Sequence, residues 1–154
     1  LCRIATAGQT FTRTIHNLEE IMTDTQTASA TTTPRFSPEF FAAFWAAPNM
    51  SHSMDILADD IIGYWPGDSE PVRGFEAYTQ KIADLLAVAP DLKLKLVDSA
   101  TAAGPAEGEE LFFLHYVGHA TGPNGPIEIR GLDRVRTRDG VVVENVIRYD
   151  PVFV

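Results

Sequence analysis

The apolar residues of this chain change period part-way along, from helical spacing to strict alternation. Phe40, Phe41, Phe44 and Trp45 recur at helical spacing behind Ser37-Pro38-Glu39. Serine suits the cap of such a helix and proline its first position. Pro48-Asn49 ends it, and a short second helix is expected over Ser51–Leu57. Asp60-Ile61-Ile62-Gly63-Tyr64-Trp65 then reads as a strand stopped by Pro66-Gly67. From Gly74 to Val88 the residues Phe75, Tyr78, Ile82, Leu85 and Leu86 make one apolar stripe of a helix. Pro90-Asp91 closes that helix, and period two takes over.

Leu92-Lys93-Leu94-Lys95-Leu96 alternates as a half-buried strand does. Thr101 to Glu110 is polar and rich in Gly and Ala, as loops are. Leu111 to His119 is a strand, Thr121 to Pro126 a turn, and Ile127 to Arg138 the next strand. Arg138-Asp139-Gly140 carries a hairpin signal, and Val141 to Tyr149 is the last strand. Helices, a strand, a helix and four successive strands describe an α+β layout. Such a chain can curl a mainly antiparallel sheet round its helices and leave a pocket between them. No internal repeat and no second domain is visible.

One residue breaks the alternation. The strand 127–138 has one face of Ile127, Ile129, Gly131, Asp133, Val135 and Thr137, and another of Glu128, Arg130, Leu132, Arg134, Arg136 and Arg138. Side chains alternate across a strand, so the arginine-rich face is wet and the first is covered. Asp133 is the acid on the covered face. A buried carboxylate is unfavourable unless it is paired, hydrogen-bonded or protonated. Either it has a structural partner, an Arg, Tyr or backbone donor, or its displaced acidity has a chemical use.

Charge and composition narrow the classes. A formal net charge of −9 speaks against nucleic-acid binding. The single cysteine, Cys2, offers neither a disulfide framework nor a cysteine metal site. No apolar run approaches the ~18 residues of a membrane span. No signal-peptide core is visible, so a cytoplasmic protein is expected. Residues 1–36 are expected to be a disordered extension, polar from Thr23 onward. Glu19-Glu20 ahead of Met22 suggests that residues 1–21 are a translated leader and that the natural protein starts at Met22. The folded domain is then 37–154.

Several motifs in order carry a family resemblance. They are Asp59-Asp60 opening the first strand, Trp65-Pro66-Gly67 ending it, Arg73-Gly74-Phe75-Glu76-Ala77, Ala89-Pro90-Asp91-Leu92, Gly118-His119-Ala120-Thr121-Gly122, Gly131-Leu132-Asp133-Arg134, Asp139-Gly140, Glu144 and Tyr149-Asp150-Pro151. From about Phe40 to Val154 the chain resembles the SnoaL-like polyketide cyclase branch of the nuclear-transport-factor-2-like (NTF2-like) superfamily. The resemblance implies a cone-shaped α+β barrel, commonly dimeric, with a deep hydrophobic cavity and no metal or organic cofactor. It also implies a strand aspartate acting as acid and base in an aldol ring closure, with a histidine on the preceding strand. Asp133 and His119 match those positions.

The expected catalytic pair is therefore Asp133 and His119, acting on a small hydrophobic carbonyl compound. Tyr64, Trp65, Trp45, Phe41, Phe113 and Tyr149 are candidates for the cavity wall, although each also suits plain core packing. Tyr64 and Trp65 point to opposite faces, so one of them at most lines the cavity. Asp150 fits either a second polar group in the cavity or a C-terminal cap, and Glu144 an ion pair with a neighbouring arginine. An epoxide hydrolase of the same fold would need an arginine where Gly131 stands. A ketosteroid isomerase would need a base, a tyrosine and a protonated acid to converge. The reading from another class is a non-catalytic protein that binds a small apolar ligand.

Overall fold

The computed structural model describes residues 33–51 and 54–153. The leader, the start at Met22, most of the expected extension, and Cys2, His16 and His52 lie outside the described residues. Helix α1 spans Pro38–Ala46, and the Ser37 hydroxyl accepts a hydrogen bond from the Phe40 N–H at 3.1 Å, as the sequence pattern requires. The expected second helix is one 3₁₀ turn, Met54–Ile56. Helix α2 spans Phe75–Val88 and starts from Gly74, whose φ of 89° favours a residue without a Cβ.

Six strands follow the chain order: β1 Leu57–Tyr64, β2 Val72–Arg73, β3 Lys93–Ala103, β4 Glu109–Gly122, β5 Gly125–Arg138 and β6 Val141–Phe153. They form one mixed sheet in the order β2-β1-β6-β5-β4-β3. All neighbours pair antiparallel except β1 and β6, which run parallel. The sheet is not closed into a barrel, because β2 and β3 remain its edges. Helix α1 lies against β3, and α2 against β1 and β2. The α+β expectation stands. The expected loop 101–110 shortens, because β3 runs on to Ala103 and β4 already begins at Glu109.

Two tight turns set the registers that matter. Gly122 pairs with Gly125 across Pro123-Asn124, so Leu114 faces Asp133. Arg138 pairs with Val141 across Asp139 and Gly140, whose φ values of 53° and 87° are those of a two-residue hairpin turn. Past that turn the ladder shifts between Arg136 and Thr137, where Val143 is the extra residue of β6. A bulge of one residue exchanges the two faces of a strand. Val142 and Asn145 both point inward as a result.

The core lies between the inward face and the helices. Ile61, Leu114, Tyr116, Val135 and Val142 on the sheet pack with Phe41 of α1 and with Tyr78 and Ile82 of α2. Phe36 joins them, edge-on to Phe112 with ring centres 5.3 Å apart. Its N–H donates to the Gly140 carbonyl at 2.9 Å. Packed structure therefore begins before the expected boundary at Ser37. The outer face is the wet one: Arg136 and Arg138 reach Glu109 at 2.8 and 2.9 Å, and Glu144 binds Arg134 and Arg136.

Candidate active site

Between the inward face, α1 and α2 lies a cavity of about 100 Å³. Phe36, Phe40, Phe41, Phe44 and Trp45 close one side, and Tyr78, Ile82 and Leu85 of α2 another. Trp65 lies where β1 ends. The sheet contributes Tyr116, Ile129, Asp133, Val135, Val142, Asn145, Ile147 and Tyr149. Aliphatic and aromatic groups make most of this wall, so the few polar atoms among them act in a poorly solvated setting.

Asp133 is one of those few, and only 5% of it is exposed. The Tyr116 hydroxyl donates to Oδ1 at 3.0 Å, and Asn145 Nδ2 donates to Oδ2 at 3.3 Å. The same Asn145 nitrogen lies 3.0 Å from the Tyr78 hydroxyl oxygen. An amide NH₂ has two hydrogens, so Asn145 can serve both neighbours. Asp133, from β5, is thus gripped by residues of β4 and β6 and linked through β6 to α2.

Gly131 makes the grip possible. It pairs with Tyr116 across β4 and β5, and the Tyr116 ring lies over it. A Cβ at 131 would overlap the ring and its hydroxyl. Without a side chain there, Tyr116 can lean along β5 as far as the carboxylate two residues on. Gly63 does the same for α2: a Cβ there would stand 2.7 Å from the Tyr78 ring and 3.0 Å from Trp65 Nε1.

Burial pushes the Asp133 carboxyl up to about 7, against the hydrogen bonds from Tyr116, Asn145 and the Arg148 backbone, which pull it down. Burial also raises the Tyr116 and Tyr78 hydroxyls, and the Asp133 charge adds to both shifts. Both hydroxyls therefore stay protonated, and Tyr116 remains a donor to Asp133. A carboxyl that titrates near neutral pH exchanges a proton readily in both directions, as an acid–base catalyst must.

The expected residues divide sharply. Asp133, Phe41, Trp45, Trp65 and Tyr149 meet at the cavity. Tyr64 does not line it, and its carbonyl accepts from Arg148 Nη1 at 3.3 Å. Phe113 is exposed on the outer face. His119 is exposed as well, and pairs across the ladder with Glu128 and Lys93. It lies five positions along β4 from the residue facing Asp133, about 17 Å at ~3.4 Å per residue, and on the opposite face. The expected Asp133–His119 pairing is thus corrected: Tyr116 and Asn145 hold Asp133 instead. Asp150 is exposed on β6.

Tyr116, Asn145 and Tyr78 were missed as site residues. Tyr78 was visible as part of the α2 stripe and Tyr116 as a member of one face of β4. Asn145 gave no signal, because the bulge at Val143 alone turns it inward. Two buried polar atoms of the wall have no hydrogen-bond partner among the described residues: Trp65 Nε1 and Asn145 Oδ1. No three His, Cys, Asp or Glu side chains converge on a possible metal position among the described residues, nor is any described helix long and apolar enough to cross a membrane.

A family model described as a SnoaL-like domain matches residues 38–145. No curated protein matches the chain at a significant level. Among solved structures, IdmH from Streptomyces antibioticus, a candidate polyketide cyclase, aligns with a TM-score of 0.58 at 23% identity, over 75% of this chain and 93% of that one. A candidate polyketide cyclase from Pseudomonas putida aligns at 0.54 with 13% identity, over 71% and 86%. An NTF2-like protein from Anabaena variabilis aligns at 0.55 with 15% identity, over 73% and 82%. At these identities the likeness is one of fold.

Proposed function

The chain belongs to the SnoaL-like domain family, and from that premise we propose that it is a small-molecule enzyme of cyclase or isomerase type, with Asp133 as its acid and base. One observation carries the reading: a buried carboxyl, raised to about 7, that borders an apolar cavity and is held by neutral donors. An arginine partner would pull the carboxyl down and leave a structural ion pair. The neutral donors hold it in place without cancelling the effect of burial.

In this reading the ionised Asp133 removes a proton from the carbon next to a ligand carbonyl. The electron pair of that C–H bond moves into an enolate. In an isomerisation the protonated Asp133 returns the proton to another carbon of the conjugated system. In a ring closure the enolate carbon attacks a second carbonyl of the same molecule, and Asp133 gives its proton to the new alkoxide. Tyr116 and Asn145 fix the direction of the carboxylate, and the phenylalanines of α1 keep water from competing for the proton. Proton transfer by a positioned group of this kind contributes roughly 10²–10⁴ to a rate.

The test is exchange of α-hydrogens of small enolisable ketones in D₂O, followed by NMR. Exchange should rise with pH through about 7, as Asp133 ionises. In Asp133→Asn it should vanish while ligand binding persists. Undiminished exchange in that variant would sink the acid–base role. Binding without exchange in the unmodified protein would favour the ligand-binding alternative.

A homodimer is part of the same proposal. Leu132 and Phe113 stand exposed on the outer face, where they are diagonal neighbours across β5 and β4. Sedimentation of the protein and of Leu132→Glu tests it: a dimer should give way to a monomer.

A further inference from the structure

The Asn145 side chain is held through its nitrogen alone. Nδ2 donates to Asp133 Oδ2 at 3.3 Å and to the Tyr78 hydroxyl oxygen at 3.0 Å, while Oδ1 has no partner among the described residues. The terminal torsion of an asparagine is broad, so one hydrogen bond does not fix the plane of its amide. Two bonds from one nitrogen do. The Tyr78 bond is the shorter of the two, and its anchor is stiff. Tyr78 is buried, and its ring lies so close to Gly63 that a Cβ there would stand 2.7 Å from it. Trp65 packs beside the same ring, with ring centres 5.9 Å apart. Burial raises the Tyr78 hydroxyl above its ordinary value, so it stays protonated and presents a neutral oxygen to the amide.

Tyr78 does not bond the carboxylate itself. The two hydrogens of an NH₂ group point about 120° apart, which sets the two oxygens served by Nδ2 about 5.5 Å from each other, beyond hydrogen-bond reach. The Tyr78 hydroxyl therefore acts on Asp133 chiefly through Asn145. A hydrogen bond to an ionised carboxylate is stronger than one to its neutral form, so an N–H kept on target favours ionisation. On the reading of Asp133 as the acid–base group, we infer that Tyr78 is a positioning residue for it: Tyr78 pins the Asn145 nitrogen, keeps one N–H aimed at Oδ2 and so eases release of the Asp133 proton. Helix α2 then takes part in setting the acidity of a group on β5. The other titratable side chains of the cavity wall are Tyr116 on β4 and Tyr149 on β6; among the described residues α1, β1 and β3 contribute none. Tyr116 donates to Oδ1, so the two tyrosines act on the carboxylate through different oxygens.

In full-length protein carrying ¹³C-labelled aspartate, the Asp133 carboxyl resonance is the one absent from Asp133→Asn, and its pH titration reads the proton affinity without any turnover. Asn145→Ala should raise the midpoint by about 1, as loss of one hydrogen bond to a charged group predicts. Tyr78→Phe, which keeps the ring, should raise it by about 0.5, because the Asn145 bond weakens rather than vanishes. In the double variant the midpoint should match that of Asn145→Ala alone, since nothing is left for Tyr78 to pin. An unmoved or lower midpoint in Tyr78→Phe would make Tyr78 a packing residue only and overturn the inference, whatever the variant's stability. A Tyr78→Phe shift that persists in full beside Asn145→Ala would overturn it too, because the hydroxyl would then act directly. If Asn145→Ala does not fold, the Asn145 side-chain NH₂ hydrogens give the second readout. They should exchange with solvent faster in Tyr78→Phe, and unchanged exchange would rule out the pinning. The α-hydrogen exchange assay on the same samples separates the two proposals. A shifted carboxyl midpoint without α-hydrogen exchange in the unmodified protein would sink the acid–base proposal alone, and exchange with an unmoved midpoint in Tyr78→Phe would sink this inference alone.

Discussion

Replacing Asp133 by Asn should stabilise the protein at neutral and alkaline pH while abolishing its proposed chemistry. Burial holds the folded-state carboxyl at about 7, whereas an unfolded aspartate titrates near ~3.9. Between those values the folded chain binds a proton that the unfolded chain has released, so stability falls as pH rises through this window. A difference of about 3 in pKa corresponds to about 4 kcal/mol, lost progressively from about pH 4 to pH 7 and constant above. An asparagine at 133 avoids that loss. Its carbonyl can accept from Tyr116, and if the Asn145 amide turns over, its NH₂ finds an acceptor there too. Tyr78 can then donate to Asn145 where it now accepts. The exchange of partners should itself change stability by no more than about 1 kcal/mol. Urea unfolding of both proteins between pH 4 and pH 9 measures the effect. The two should be nearly equal at pH 4, and the variant more stable by about 3–4 kcal/mol at pH 8. A difference that is the same at both pH values would refute the claim that Asp133 is a strained, proton-binding group.

Three further variants probe the surroundings of Asp133. Tyr116→Phe removes a charge-assisted hydrogen bond worth about 1.5–3 kcal/mol to the ionised form, so the midpoint of the pH–rate profile should climb by about 1–2 above that of the unmodified protein; a fall would contradict the assigned donor. Gly131→Ala should displace the Tyr116 ring, raise the same midpoint and destabilise the fold by about 1–3 kcal/mol in thermal or urea unfolding, with an unchanged midpoint counting against the role of Gly131. His119→Ala should leave the α-hydrogen exchange rate within about two-fold, a ΔΔG‡ of about 0.4 kcal/mol, because the ring is exposed on the far side of the sheet; a larger loss would restore the histidine to the mechanism.

Asp133 was legible because alternation is a local property: a strand of alternating faces exposes an acid on the wrong one. The helices were legible for the same reason, through serine and proline at the start of α1 and one stripe along α2. His119 failed on parity. A two-residue turn at Pro123-Asn124 pairs odd-numbered positions of β5 with even-numbered positions of β4, and paired residues share a face. Asp133 therefore looks the same way as Leu114 and Tyr116, and His119 looks the other way. The information was in the turn length, but Gly, Pro and Asn throughout 122–126 leave several turn lengths open until the strands pair. Phe113 failed with His119, on the same face.

Taken alone, then, the sequence determined the order and type of the elements, the family and the buried acid, because propensity, capping and alternation act over a few residues. What Asp133 touches was decided by the tertiary structure. Tyr116 reaches it only because Gly131, fifteen positions away in sequence, lies beneath the ring in the folded ladder. Asn145 reaches it only because one extra residue at Val143 exchanges the faces of β6. Tyr78 joins the group only when α2 docks where Gly63 leaves room. Register, bulge and docking minimise the energy of the whole sheet and its helices at once, and no local pattern of residues records their outcome.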